Sequence, residues 1–168
     1  MMRTILIFLI LALLAPTASA ADVTAVPAGV STEAVKAFRR GLELHKAKQW
    51  ALAIPEYERA IELGGRFPEA FNNLAYCYRK MGRIEKAIEL YRIAIQLRPT
   101  FPQAHDYLAR AHLAKGDKAA ALSEYEIVRR LDSKLAHCLK EAIARNDPDY
   151  NDMPWNASSS GVASSSAA

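Results

Sequence analysis

A 34-residue repeat constrains the fold of this 168-residue chain more than any other feature of its sequence. Two small-residue positions, a tyrosine position and a leucine position all recur with this period. The four columns are Ala53, Ala87 and Ala121; Tyr57, Tyr91 and Tyr125; Ala60, Ala94 and Val128; and Leu63, Leu97 and Leu131. Columns that share one period indicate an array of equal units that bury their apolar faces by stacking on one another.

Within the middle unit, the apolar residues follow the spacing of two helices. The first stripe has the positions i, i+3, i+4 and i+7 of one helical face, which are Phe71, Leu74, Ala75 and Tyr78. Gly82 is expected to end this helix, because glycine adopts the left-handed conformation without a steric penalty. A second apolar stripe follows at 84–95, and Pro99 closes the unit. Each unit is therefore predicted to be a helix, a tight turn and a second helix.

These residues resemble the tetratricopeptide repeat family. The family pattern is carried by Phe71, Leu74, Ala75, Tyr78, Gly82, Ala87, Tyr91, Ala94 and Pro99. The resemblance implies an all-α fold, a right-handed helical solenoid of three tetratricopeptide helix-turn-helix repeats with a C-terminal capping helix. The first unit departs from the pattern at Arg40, where the other units have leucine. Pro55 lies inside its second helix and predicts a late start or a bend.

The period divides the chain into segments. The predicted divisions are a signal peptide at 1–20, an N-terminal arm at 21–33, a degenerate first repeat at 34–67, and further repeats at 68–101 and 102–135. A capping helix is expected at 136–145, because Leu139, Ala142 and Ile143 continue the apolar phase and would cover the last repeat. Residues 146–168 have no apolar period, and we expect them to be a disordered tail.

The first 20 residues have the pattern of an export signal. Arg3 precedes an apolar run at 5–15, and small residues at 18–20 fit the site that a signal peptidase cleaves. The run is too short for a membrane-spanning helix, which needs roughly 20 residues. We expect cleavage between Ala20 and Ala21, which leaves an exported protein, periplasmic or secreted, without stable membrane insertion. An uncleaved membrane anchor is the alternative.

The charge balance argues against a nucleic-acid partner. The chain has 22 Lys and Arg against 18 Asp and Glu. Removal of Arg3 with the signal leaves 21 against 18, a net charge of +3. Nucleic-acid-binding domains have a dense basic face, and this excess is too small to form one.

The histidines and cysteines do not predict catalysis, a cofactor or a metal site. His105 and His112 occupy the packing columns of Phe71 and Tyr78, so we expect both to be packed or half-buried. Cys77 and Cys138 belong to helices about 16–20 Å apart in the stack. Their Cα atoms would need to lie within about 7 Å to form a disulfide, so both thiols are expected to be free. No Cys/His pair is placed to react, and we expect no enzyme.

The first helices of the units supply the candidate binding site, because they line the concave groove of such a solenoid. Amides can bind a peptide backbone, tyrosines offer amphipathic contact area, and arginine attracts carboxylates. The predicted groove residues are Phe38, Leu42, Asn72, Asn73, Tyr76, Arg79, Lys80, Asp106, Tyr107 and Arg110. Tyr76 and Tyr107 are expected to be exposed there.

The resemblance implies a protein–protein interaction module or scaffold that binds a partner protein or peptide segment in this groove. Some family members clamp the terminal carboxylate of chaperone tails with Lys, Asn and Arg at five columns. Those columns hold Phe38, Leu42, Asn73, Gln103 and Tyr107 here. Only Asn73 matches, so a clamp of that type is not expected. The alternatives are a self-assembling structural protein and a non-catalytic accessory subunit of an envelope enzyme complex.

Overall fold

The computed structural model describes residues 31–64 and 67–150. Over these residues the chain forms seven α-helices and no strand: α1 (Thr32–Lys46), α2 (Trp50–Glu62), α3 (Pro68–Lys80), α4 (Ile84–Leu97), α5 (Pro102–Ala114), α6 (Lys118–Leu131) and α7 (Ser133–Arg145). The predicted signal peptide, the arm up to residue 30 and the tail from residue 151 lie outside the described residues. None of the seven helices is long and apolar enough to cross a membrane.

The helices pair as α1 with α2, α3 with α4 and α5 with α6, and α7 packs on α5 and α6. This arrangement confirms the predicted solenoid of three repeats with a capping helix. The second helices begin at Trp50, Ile84 and Lys118, each 34 residues after the last. Pro55 therefore lies inside α2 without delaying its start, which corrects one of the two outcomes expected from that residue.

Local capping decides where the helices begin. Pro68 and Pro102 start α3 and α5, the position at which the missing proline N–H costs no hydrogen bond. In the first repeat the N-cap Ser31 starts the helix, because its Oγ accepts a hydrogen bond from the Ala34 N–H at 3.1 Å. Helix α1 thus begins inside the predicted arm. Asp132 caps α7 in the same way, so the capping helix begins three residues earlier than predicted.

The same tight turn joins the two helices of every repeat. In each repeat, the third backbone N–H beyond the helix end bonds a carbonyl five residues earlier. These carbonyls belong to Leu44, Tyr78 and His112, at 2.9, 2.9 and 2.8 Å. This bond defines the Schellman motif, which needs a left-handed residue just before its donor. That position has φ of +76° and +83° in the later repeats, where it is glycine, and +57° at Lys48.

Replacing Lys48 with glycine is therefore expected to stabilise the protein by about 0.5–1 kcal/mol. The left-handed conformation costs a non-glycine residue roughly 1–2 kcal/mol, and the greater freedom of glycine in the unfolded chain offsets part of the gain. Urea unfolding of the purified protein measures the change. Gly82→Ala is the matched control and should lose stability, and a loss in both variants would contradict the shared turn geometry.

The core follows three of the four sequence columns. The alanine column and the Ala60 column are fully buried in every repeat, and Tyr57 and Tyr91 are fully buried with them. The leucine column is the exception, because Leu63, Leu97 and Leu131 are each more than one-third exposed. At Gly41 an added Cβ would lie 2.7 Å from Cε1 of Tyr57. The tyrosine ring therefore fills the space that the glycine leaves between α1 and α2.

His105 and His112 are buried, as their columns predict. His105 bridges two repeats, with Nδ1 2.7 Å from Oε2 of Glu124 and Nε2 3.0 Å from the carbonyl oxygen of Pro99. Burial acts to lower its pKa, but the hydrogen bonds to Glu124 and Pro99 together raise the pKa above its ordinary value of 6.5. For His112 burial prevails and lowers the pKa.

The His105 bridge predicts a pH dependence of stability. Because its folded-state pKa is raised, its contribution is complete below about pH 6.5 and is lost as the pH rises through the folded-state pKa. We expect His105→Gln to lose stability at pH 5.5 and to approach the wild type at pH 8.5. The difference between the two proteins in urea unfolding isolates this group from His112, which acts in the opposite direction. A difference that does not change with pH would contradict the bridge.

Candidate functional site

A row of aromatic rings runs along the first helices from repeat to repeat. The His45 ring stacks on Tyr76 with centroids 4.8 Å apart, and Tyr76 meets Tyr107 edge-on at 5.1 Å. Trp50 packs edge-on against Tyr76 at 5.5 Å. Tyr76 and Tyr107 are each only 3% exposed. The prediction that they are exposed is therefore wrong, because these rings join neighbouring repeats.

Two further predicted groove residues belong to the core. Phe38 packs against Phe67 with centroids 4.7 Å apart and against Tyr57 at 5.7 Å. Leu42 is buried in the same cluster. Both side chains point into the packing between α1, α2 and α3 and offer no surface to a partner. This corrects the site prediction at both positions.

Asn72 and Asn73 form an amide pair on α3, and both are 1% exposed. The Nδ2 of Asn72 donates to Oδ1 of Asn73 at 3.3 Å. Within the described part of the chain, Oδ1 of Asn72 and Nδ2 of Asn73 have no hydrogen-bond partner. Both side chains are more deeply buried than Phe38 and Leu42, so they likewise offer no surface to a partner.

Arg79 and Lys80 form a cationic pair at the end of α3. Arg79 Cζ lies 5.2 Å and Lys80 Nζ lies 5.9 Å from the centroid of the Tyr76 ring. Both bind the same carboxylate oxygen, Oδ1 of Asp149, at 3.0 and 2.8 Å. Partial burial acts to raise the pKa of Asp149, but Lys80 and Arg79 outweigh it and hold the pKa below its ordinary value. Asp149 is therefore ionised at neutral pH.

Arg110 on α5 is 1% exposed and adds a third, buried cation from the next repeat. Its Nε donates to Oδ2 of Asp106 one helical turn away, at 2.9 Å. Its Nη1 donates to the backbone carbonyl oxygens of Pro148 and Tyr150, at 3.2 and 2.8 Å. A buried guanidinium held by a carboxylate thus presents donors to a polypeptide backbone.

The residues bound by these cations form a tight turn after α7, which we call the docked turn (147–150). Asn146 ends α7 in the left-handed conformation, with φ of +52°. The Tyr150 N–H then bonds the Asp147 carbonyl at 3.2 Å, and Oδ1 of Asp147 accepts from the Asp149 N–H at 3.0 Å. Aspartate followed by proline favours this turn. The predicted disordered tail therefore begins with five described residues in a defined conformation.

His45, Cys77 and Tyr57 meet behind the aromatic row. Nδ1 of His45 lies 3.8 Å from Sγ of Cys77 and 3.3 Å from the Tyr57 hydroxyl. A Cys/His pair therefore exists that the sequence did not predict, because the two residues are 32 positions apart and meet only in the fold. Burial raises the pKa of Cys77 to about 12. The thiol stays protonated at neutral pH and is a poor nucleophile.

The remaining predictions concern the two cysteines and a metal site. Cys77 is buried, Cys138 is half-buried, and both are free thiols. Within residues 31–64 and 67–150, no three His, Cys, Asp or Glu side chains are grouped as metal ligands would be. Neither Trp50 nor the docked turn was predicted from the sequence. The Asp-Pro-Asp-Tyr sequence is a turn signal that could have indicated the latter.

One repeat of the chain matches a known family directly. Residues 68–101, which comprise α3, α4 and the turn between them, match the family model of the tetratricopeptide repeat. The chain therefore contains a tetratricopeptide repeat at these positions. No curated protein sequence matches the chain.

Solved structures extend the likeness to the other helices. The second TPR domain of human RPAP3, in complex with the HSP70 peptide SGPTIEEVD, is 25% identical with a TM-score of 0.62, over 67% of this chain and 95% of that one. The Sgt2 TPR domain from Aspergillus fumigatus is 22% identical with a TM-score of 0.63, over 82% and 93%. The Yersinia enterocolitica type III secretion chaperone SycD, in complex with a YopD peptide, is 19% identical with a TM-score of 0.62, over 70% and 97%. The fold is thus that of a tetratricopeptide repeat domain.

Proposed function

We propose that this protein is a non-catalytic interaction module that holds an acidic segment of a partner protein in its concave groove. One observation carries the proposal. Arg79, Lys80 and Arg110, from two successive repeats, converge on one carboxylate and two backbone carbonyls. This is the set of groups that a peptide with an acidic side chain presents.

The neighbouring groups suit the same ligand. The Tyr76 ring lies against both cations of α3. Guanidinium and ammonium groups supported in this way are already ordered, which lowers the entropy lost on binding. Among the structural relatives, two TPR domains of RPAP3 are bound to peptides, SRMEEVD of HSP90 and SGPTIEEVD of HSP70. Both peptides are acidic.

The groove differs from the carboxylate clamp considered above. The columns of that clamp hold Phe38 and Leu42, which are core residues, and Tyr107, which is buried. The cations of this protein occupy other positions, at the end of α3 and in the middle of α5. We therefore propose that an internal carboxylate suffices and that a chain terminus is not required.

Capture experiments with the mature chain test the proposal. The baits are residues 21–168, the Arg79→Ala/Lys80→Ala variant and the Asp149→Ala variant, each exposed to a cell-envelope extract. We expect at least one of the two baits with intact cations, the wild type and Asp149→Ala, to recover a partner protein. Arg79→Ala/Lys80→Ala should lose this partner, because it lacks both cations of α3. Tyr76 is left unchanged, since its removal would open the core.

A charge-matched control separates the site from the overall charge. Lys86→Ala/Arg92→Ala also removes two cations, but from the exposed face of α4, and it should bind like the wild type. Equal recovery by every bait, or no partner with any bait, would contradict the groove. Co-purification with an enzyme would indicate the role of an accessory subunit.

We also propose that the module acts outside the cytoplasm, in the periplasm or as a secreted protein. The support is the sequence pattern at 1–20, with its single positive charge, apolar run and small-residue site. Mass spectrometry of the protein from its native source should find Ala21 as the first residue. An intact N-terminus in a membrane fraction would indicate an anchor in its place.

A further inference from the structure

The docked turn occupies the same cations that the proposed function assigns to a partner. Asp149 bridges Arg79 and Lys80, while the carbonyls on either side of it, those of Pro148 and Tyr150, bind Arg110. A partner segment cannot bind these three side chains while the turn is in place. The turn and a partner are therefore competitors.

The local structure places the turn on the groove without a long connection. The Asp147 N–H bonds the Ala142 carbonyl at 3.0 Å and reverses the chain directly at the end of α7. Pro148 then restricts the backbone, and the Asp147 carboxylate bonds the Asp149 N–H within the turn. A ligand preformed and tethered in this way has a high effective concentration at its site.

The turn contributes an exposed carboxylate to these contacts, although the cations that bind it are largely buried. The Asp149 side chain is 59% exposed, whereas those of Arg79 and Lys80 are 3% and 23% exposed. Solvent screening at the carboxylate weakens both ion pairs. The Tyr150 ring lies under the Arg145 guanidinium, with Cζ 4.4 Å from the ring centroid, and is only partly buried against the apolar residues shared by α5, α6 and α7. Such contacts order the segment and still allow another segment to replace it.

We infer that residues 147–150 are an internal ligand of the groove, which an acidic segment of a partner must displace in order to bind. This inference rests on the proposed function. It adds that the chain's own docked turn fills the groove in the free protein. A preferred ligand then resembles Asp-Pro-Asp-Tyr: its aspartate binds the cations of α3, and the backbone carbonyls on either side bind Arg110 of the next repeat.

A peptide supplied in trans tests the inference on the full chain. The probe is a fluorescent peptide with the sequence of residues 146–151, with blocked ends. We expect Asp149→Lys to bind it at least about tenfold more tightly than the wild type, because the tethered competitor reduces the apparent affinity by the fraction of open groove. Adding Arg79→Ala/Lys80→Ala to Asp149→Lys should abolish the binding.

Two controls separate charge from occupancy. Glu89→Lys makes the same charge change on an exposed part of α4 and should leave peptide binding at the wild-type level. A peptide with asparagine at the position of Asp149 should bind more weakly to Asp149→Lys. Hydrogen exchange at the amides of residues 147–150 should be slow in the wild type and fast in Asp149→Lys.

Equal peptide affinity of the wild type and Asp149→Lys would overturn the inference, and so would unchanged hydrogen exchange. Light scattering adds a further check. A wild-type dimer that Asp149→Lys dissociates would mean that a second copy supplies the turn, which overturns the intramolecular form. The inference can also fail while the proposed function stands. A partner recovered equally by wild type and Asp149→Ala, but lost by Arg79→Ala/Lys80→Ala, would support the groove and refute the internal ligand.

Discussion

Arg110→Ala is expected to lower the free energy of unfolding by about 3–5 kcal/mol, the cost of removing one member of a buried ion pair. Arg110 is 1% exposed and Asp106, which accepts its Nε–H, is equally buried. Alanine would withdraw the guanidinium from a buried carboxylate and from the two carbonyls of the docked turn. Urea unfolding monitored by circular dichroism measures the loss.

The double variant Arg110→Met/Asp106→Leu tests the physical reason. Replacing both partners with apolar side chains removes the charge that alanine leaves buried, so much of the lost stability should return. A single variant that costs less than about 1 kcal/mol would show that the pair is solvated in solution. A double variant no more stable than Arg110→Ala would show that the docked turn, and not the ion pair, accounts for the loss.

Tyr57→Ala is expected to lower the free energy of unfolding by a similar amount, about 3–5 kcal/mol, because it removes a fully buried aromatic ring. The ring fills the space over Gly41, packs against Phe38, and brings its hydroxyl 3.3 Å from Nδ1 of His45. Since no side chain of α1 can extend into the vacated space at Gly41, the cavity should persist. Thermal and urea unfolding measure this change.

Two controls accompany this substitution. Tyr57→Phe keeps the ring and should cost about 1 kcal/mol, the usual value for one hydrogen bond. Tyr125 occupies the same column in the third repeat but is only half-buried, so Tyr125→Ala should cost clearly less than Tyr57→Ala. Equal losses at the two positions would mean that the column, and not the burial of the individual ring, determines the energy.

The helices and their order could be predicted from the sequence, because they depend on contacts that repeat every 34 residues. The columns of Ala53, Tyr57 and Ala60 record packing inside each repeat, and they hold wherever the repeat is formed. Lys48 shows that the repeat predicts the turn conformation even where the residue type differs. It breaks the glycine pattern, yet it adopts the same left-handed conformation, because the turn bond to Leu44 requires it.

The exposure of the binding face could not be predicted in the same way. Tyr76 and Tyr107 fall outside the core stripe and look exposed in a single helix, but each packs against a ring of a neighbouring repeat. Phe38 and Leu42 fail for a related reason, since Phe38 packs against Phe67, the residue that precedes α3. Neither contact can be predicted from the apolar spacing within a single helix.

The sequence by itself determined an all-helical array of three repeats with a cap, because periodic apolar spacing specifies which side chains share a helical face. Only the tertiary structure decided what lies against the groove cations. Arg79 meets Asp149, and Arg110 meets Pro148 and Tyr150, across 70, 38 and 40 residues of chain. The 34-residue repeat cannot predict these contacts, because they form only when the chain beyond α7 folds back onto the first helices of the earlier repeats.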